Sequence, residues 1–311
     1  MLAELIRRLL STAIVVLGVV VLVFLLIHLI PGDPVDVMLG ESASAADREA
    51  LRHQLGLDRP LAAQLGDYLG GLARGELGHS LQHRRPIIEL LAERIPATLE
   101  LALAALAFTL VLALPLGLLA AVRRNTGWDR GAMAFSLLGV SIPNFWLGPL
   151  LILLFSVWLG WLPVSGRESP AALILPALTL GMSLAAVLSR MVRSSVLEVL
   201  GEDFIRSAYA RGLSTRQVLT RHALPNALLP VITVLGLQLG TLLAGAVITE
   251  VVFGWPGLGS LTIEAIQSRD YPLVQACVLL ISLSYVLVNM LTDLLYAWID
   301  PRIRLGEGDA G

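Results

Sequence analysis

The chain has 311 residues, of which 56% are hydrophobic and only 15% are charged. A soluble domain carries roughly 25% charged residues, so the apolar excess must face lipid, and a soluble globule is excluded. All 22 basic residues are arginine, set against 24 acidic ones for a formal charge of -2. That balance leaves no electrostatic footprint for nucleic acid. The absence of lysine also removes the residue that a G-x-x-x-x-G-K-[ST] phosphate loop needs to reach the β- and γ-phosphates, so this chain does not bind ATP through a Walker lysine of its own.

A spanning helix needs about 20 mostly apolar residues, and six such runs follow one another. Residues 9–30 carry no charge and one histidine, His28. The run is longer than the apolar core of a signal peptide, and Ile30-Pro31-Gly32-Asp33 offers no small-x-small cleavage site, so it reads as a retained first span. Residues 31–96 form a long polar loop. Within it, 44–55 is expected as a short helix with Ser44 as N-cap and Leu51 and Leu55 on one face. A second candidate, 61–72, is closed by Gly70 and Gly71. Neither is apolar or long enough to span, so the loop reads as a small subdomain for contact with another protein, or as a lid on its own helices.

The second run, 97–122, holds only Glu100 near its start. The third lies inside 131–166, which is uncharged and too long for a straight span; Pro143 and Pro149 are expected to kink it, with Trp158 and Trp161 anchoring its end at the interface. The fourth is 171–189, the fifth 227–249 and the sixth 271–292. Cys277 is alone, which rules out an intramolecular disulfide and a cysteine metal cluster.

Arginine counts in the short loops orient the chain. Thirteen arginines fall on one side: Arg7 and Arg8, then Arg123, Arg124 and Arg130, then Arg190, Arg193, Arg206, Arg211, Arg216 and Arg221, then Arg302 and Arg304. The short loops opposite hold only Arg167 and Arg269. Both termini are therefore expected in the cytoplasm, with 31–96 outside.

The cytoplasmic stretch 193–226 is the most informative. Residues 198–211 are helical in pattern, with Phe204 and Ala208 four apart. Gly212 then breaks the run, a second amphipathic stretch follows through Val218 and Leu219, and Leu224-Pro225 leads into the fifth span. A short amphipathic helix between two spans suits a groove on a partner or the lipid surface. Polar groups within the spans are few: His28, Glu100, Gln238, Asn289 and Asp293. The ionisable ones sit near run ends, where headgroup water is in reach. His79 and His83 are four apart, a spacing that holds a metal only on a helix, and Gly78 beside them argues against one.

Arg206-Ser207-Ala208, then Gly212, nine residues, and His222-Ala223-Leu224-Pro225 resemble the E-A-A-x-x-x-G-x9-I-x-L-P signature of ABC importer permeases. The glycine-to-Leu-Pro spacing is kept; Arg206 stands in place of the glutamate and His222 in place of the isoleucine. Further stretches resemble the B-type subunit of the dipeptide/oligopeptide/nickel permease family. They are Ile30-Pro31-Gly32-Asp33-Pro34, Gly75-Glu76-Leu77-Gly78 with Ser80, Arg94-Ile95-Pro96-Ala97-Thr98-Leu99-Glu100, Ser141-Ile142-Pro143-Asn144-Phe145-Trp146, Phe253-Gly254-Trp255-Pro256-Gly257-Leu258-Gly259, and Asp300-Pro301-Arg302-Ile303-Arg304.

The resemblance implies an all-α polytopic membrane protein with six transmembrane helices, the type I ABC importer permease fold, in a bacterial inner membrane. Its segments would be 1–30 (first span), 31–96 (outer subdomain), 97–300 (a five-helix core with the coupling segment 193–226) and the tail 301–311. It implies a second, related permease as pore partner, two ATP-binding cassette ATPases that use ATP and Mg, and an external binding protein; the chain itself would bind no cofactor or metal and have no catalytic residue. Phe204, Arg206, Ser207, Ala208, Arg211, Gly212, Leu224 and Pro225 are then the expected ATPase-coupling residues. Trp255, Pro256, Gly257 and Gly259 would lie at the outer pore mouth. The expected cargo is a di- or oligopeptide, with nickel or another metal chelate as the alternative. A secondary transporter, the rival of a different class, needs relays of ionisable groups at the midplane or inverted repeats, and neither is evident.

Overall fold

The computed structural model describes residues 2–29, 35, 44–54 and 57–299. In chain order its helices are α1 (Leu2–Leu29), α2 (Ala45–Gln54), α3 (Leu61–Ala73), α4 (Ile87–Val122), α5 (Gly127–Ser141), α6 (Asn144–Leu151), α7 (Ile174–Leu200), α8 (Asp203–Ala210), α9 (Thr215–Gln217), α10 (Leu224–Phe253), α11 (Leu258–Gln267) and α12 (Tyr271–Ile299). No strand occurs among the described residues; an isolated bridge, His79 to Pro86, only closes a turn. Four stretches are long and apolar enough to cross a bilayer (Ile87–Val122, Pro170–Leu200, Thr215–Gly236 and Tyr271–Thr292), or up to six if the helix pairs within 127–158 and 246–267 each count as one span. The six runs of the sequence fall on α1, α4, α5 with α6, α7, α10 and α12. The motifs at 30–34 and 300–304, the tail 301–311, and the side chains of His28, Leu51, Leu55 and Asp293 lie outside the described residues.

The chain divides into two compact units, one of Met1–Ala97 with Pro256–Val286, the other of Thr98–Trp255 with Leu287–Gly311. In the first, Ile87, Leu90 and Leu91 at the start of α4 pack with Leu258 and Leu261 of α11 and with Leu273 and Cys277 of α12. A smaller cluster joins Val20 and Val23 of α1 to Leu279, with Tyr68, Leu69 and Leu72 of α3 against it. The Tyr68 ring lies 5.7 Å from that of Phe24, and burial pushes its hydroxyl up to about 12. Ser44 caps α2 as expected, its Oγ accepting from the Asp47 N–H at 3.2 Å. Gly70 and Gly71 do not end α3; the helix runs to Ala73 and turns at Gly75, whose φ of 76° is the left-handed region that glycine adopts without strain.

The second unit is built on α7, most of whose length is buried. Its neighbours come close because the contact positions are small, which is how spanning helices gain dispersion contact where lipid supplies no hydrophobic drive. A Cβ on Gly181 would meet the Ala105 carbonyl of α4 at 2.7 Å, one on Gly139 of α5 would meet Ala186 at 2.9 Å, and one on Gly117 of α4 would meet the Ser189 carbonyl at 2.6 Å. Hydroxyls add short polar links, Thr109 Oγ1 donating to the Gly181 carbonyl at 3.1 Å and Ser136 Oγ meeting Ser189 Oγ at 2.7 Å.

The prolines act differently from expectation. Pro143 does more than kink the third run: Ile142 is forced extended (φ -90°, ψ 115°), and α5 and the helix after it, Asn144–Trp158, turn through 107°. Pro149 lies inside α6, and the backbone beyond it takes a π-helical register over Ile152–Trp158. Pro96, expected just before the second span, is inside α4, which begins at Ile87; its missing N–H costs one ladder bond without ending the helix.

Candidate functional site

Between α7 and α10 the chain makes a compact helical elbow. Residues 198–211 are not one helix: α7 ends at Leu200, Gly201-Glu202 turns, and α8 starts at Asp203. At the other end of α8, Gly212 has φ 79°. Its N–H donates to the Tyr209 carbonyl at 2.9 Å and the Leu213 N–H to the Ala208 carbonyl at 3.3 Å. This bond pair is the Schellman closure, with the apolar Leu213 folded back toward Ala208. Nothing lies within 4 Å of a Cβ built on Gly212, so the backbone angle alone makes glycine the residue for this place. Two residues on, Ser214 starts α9 with a capping box, its Oγ accepting from the Gln217 N–H and its own N–H donating to Gln217 Oε1.

The elbow has its own core of Ile205, Ala208, Val218 and Ala223, with Val199, Leu200, Leu213 and Leu219 around it. The apolar face of α8 is therefore Ile205 and Ala208, three apart, rather than Phe204 and Ala208. Ala208 is fully buried, while Phe204 is 41% exposed. Arg206, Ser207 and Arg211 are exposed; Arg206 reaches only Asp203 of its own helix, at 3.3 Å. Of the eight expected coupling residues, Ala208 holds the elbow together, Gly212 turns it, and Phe204, Arg206, Ser207 and Arg211 are exposed, while Leu224 and Pro225 belong to the helix that follows.

Leu224 and Pro225 do not precede the next helix; they form its first turn. The backbone runs from α9 through a π-helical stretch, Val218–Ala223, directly into α10, with the Leu224 N–H bonded to the Leu219 carbonyl. Pro225 has no N–H to give, and the wider register absorbs the gap. Asn226 Nδ2 adds a side-chain bond to the same turn, donating to the His222 carbonyl at 2.7 Å.

At the far end of α10 Gly254 repeats the left-handed closure (φ 57°), the Trp255 N–H donating to the Glu250 carbonyl at 2.8 Å. Of the outer-loop residues, Trp255 is 1% exposed, Gly257 and Gly259 are buried, and Pro256 is half-buried. Glu100, read as isolated, is ion-paired with Arg167, whose Nη2 lies 2.6 Å from Oε2. The Arg167 guanidinium stacks 5.8 Å from the Trp255 ring centroid. Nearby in sequence, Glu250 is fully buried and accepts the Thr98 hydroxyl at 2.6 Å. Sequence reading missed Glu250 because the fifth run was closed at Thr249; a carboxylate one turn before Phe253-Gly254 was the available signal.

In the first unit Asp270, 1% exposed, caps α12 and pins the 78–86 turn, accepting from Ser80 Oγ at 2.5 Å and the Gln82 N–H at 3.1 Å. His83 lies 3.4 Å from Glu264 on α11, and His79 is exposed in the same turn. Among the described residues no cluster of three histidine, cysteine or carboxylate groups is placed to hold a metal.

Known proteins match this arrangement along almost its full length. Residues 113–305 match the family described as binding-protein-dependent transport system inner membrane component, and residues 1–102 match its N-terminal companion. The di/tripeptide transport system permease protein DppB of Pseudomonas aeruginosa is 49% identical, with 92% of this chain and 94% of that protein covered. The glutathione transport system permease protein GsiC of Escherichia coli K12 is 45% identical over 98% and 99%. Among solved structures, a chain of the inward-facing MetNI methionine ABC transporter superposes with a TM-score of 0.59 at 24% identity, covering 68% of this chain and 97% of that one, a likeness of fold. The chain belongs to the family of inner-membrane components of binding-protein-dependent transport systems.

Proposed function

We propose that the chain is one half of the translocation pore of an ATP-driven importer of di- and oligopeptides. The elbow α8–α9 is its mechanical contact with an ATPase subunit, and a second, related permease completes the pore. An external binding protein delivers the cargo, and both termini lie in the cytoplasm. The observation that carries this reading is the elbow: a separately cored, exposed pair of short helices between two spans, rigid enough to transmit a push because both ends are closed by backbone and side-chain hydrogen bonds. Supporting it, the relatives at 45–49% identity are named for di/tripeptide and glutathione transport, and 13 short-loop arginines fall on the elbow's side. Energy comes from the partners: this chain binds no cofactor, and ATP and Mg belong to the ATPases.

The test is to co-purify the importer with its external binding protein and identify the bound ligand by mass spectrometry with metal analysis. Peptide mass is the expected result; a metal chelate, or an unrelated solute, overturns the assignment of cargo. Ion-gradient-driven uptake by the chain without any ATPase would overturn the importer reading itself.

A further inference from the structure

Helices α4 and α5 meet at a tight turn in which α4 ends at Val122, Asn125 takes the left-handed backbone (φ 64°), and α5 begins at Gly127. Both helices belong to segments apolar enough for the membrane, so this turn lies at a bilayer face whichever way the chain is oriented. Between the helices opens a groove of about 680 Å³, lined by Leu116, Leu119, Gly127, Trp128, Gly131 and Phe135 with no charged side chain. Trp128 is 61% exposed, and the Arg123 guanidinium lies 5.5 Å from its ring centroid. Arg124 and Arg130 are exposed beside it. The one carboxylate of the turn, Asp129, is buried and bonded to Arg193. Arg123, Arg124 and Arg130 form no ion pair among the described residues, and the one carboxylate within electrostatic reach, Asp129, is already bonded to Arg193, so an apolar groove at the membrane face carries three exposed arginines at its rim.

We infer that this groove binds an anionic phospholipid of the bilayer, an acyl chain lying along Leu116, Leu119 and Phe135 and the phosphate meeting the three arginines. The guanidinium fork matches phosphate oxygens, and Trp128 sits where an indole shares apolar and headgroup contact. The occupant is a lipid rather than protein because an extended peptide would bring backbone N–H and C=O groups against a lining with no partners for them, and an apolar helix, whose backbone is satisfied internally, would bring no negative charge to the three arginines. An acyl chain brings no such backbone groups. A zwitterionic lipid offers the same phosphate, but its ammonium cancels the headgroup's net charge and weakens the attraction to the three arginines.

The full chain, purified in mild detergent, is offered phosphatidylglycerol or phosphatidylcholine with matched chains, and retention is read by native mass spectrometry. An arginine near an anionic surface contributes about fivefold, so phosphatidylglycerol should be retained about tenfold or more in preference. The triple variant R123Q/R124Q/R130Q should abolish the preference, while the triple lysine variant keeps it. Gly131→Phe, placed where an added Cβ has open space, should lower retention of both lipids without changing the melting temperature. A photo-crosslinking side chain at position 131 in the assembled importer should yield a lipid adduct. Equal retention of the two lipids, a preference that survives the glutamine variant, displacement by inorganic phosphate alone, or an adduct to another subunit each overturns the inference.

Discussion

Arg193 of α7 grips Asp129 at the start of α5 through two hydrogen bonds, Nε to Oδ1 at 2.6 Å and Nη2 to Oδ2 at 2.9 Å, while the Asn125 N–H donates to the same carboxylate at 2.9 Å. One carboxylate thus ties the α4–α5 turn to α7 a few residues before the elbow. A bidentate pair resists rotation as well as separation, so a displacement of the elbow end of α7 carries the turn with it.

Asp129→Ala leaves the Arg193 guanidinium, 25% exposed, without its partner. The expected result is a fall of several degrees in the melting temperature in detergent and slower uptake. Asp129→Ala with Arg193→Ala together should recover part of the loss, since removing one member of a shielded pair costs more than removing both. Additive losses in the double variant would show that the pair carries no coupling.

The elbow makes a prediction specific to backbone geometry. With open space around Gly212 and a φ of 79°, Gly212→Asn should cost little, because asparagine tolerates the left-handed region, whereas Gly212→Val should cost about 1–2 kcal/mol. Gly212→Trp should insert normally yet uncouple peptide uptake from ATP hydrolysis in proteoliposomes. Wild-type uptake by the tryptophan variant would remove the elbow from the transport cycle.

Ala208 tests the same element from inside. It is fully buried in the elbow core, so Ala208→Leu overpacks the site at about 1–3 kcal/mol. Ser207→Leu, one residue away on the exposed face, should leave the isolated chain as stable as wild type. Thermal melting of the two variants side by side decides this.

Thr98→Val removes a hydroxyl donor from the fully buried Glu250. A buried group that loses such a partner costs about 1–3 kcal/mol, so stability should fall by that order while Thr98→Ser stays near wild type. Chemical denaturation in detergent gives both values.

Asp270→Ala should free the 78–86 turn, because Ser80 Oγ and the Gln82 N–H lose a common acceptor and α12 loses its cap. Limited proteolysis and amide exchange should both rise in that turn, with α7 unaffected; unchanged exchange would mean that other contacts hold it.

Composition and the six apolar runs determined the membrane class, because burial in lipid demands about 20 consecutive apolar residues and that demand is local. The Gly212-to-Leu224-Pro225 spacing located the elbow for the same reason: a left-handed closure and a proline at a helix start each act within a few residues. Proline marked where the third run breaks, but not that the chain turns through 107° there, since the angle depends on what the two halves pack against. Nor did local pattern show that Ala208 is core and Phe204 surface, which the packing of Val218 and Ala223 decides. The polar pairs needed the tertiary structure most. Asp129 and Arg193 are 64 residues apart, Thr98 and Glu250 152, and Ser80 and Asp270 190. No periodicity links such residues; only the tertiary packing brings each donor to its acceptor, where the low dielectric makes leaving either one unpaired costly.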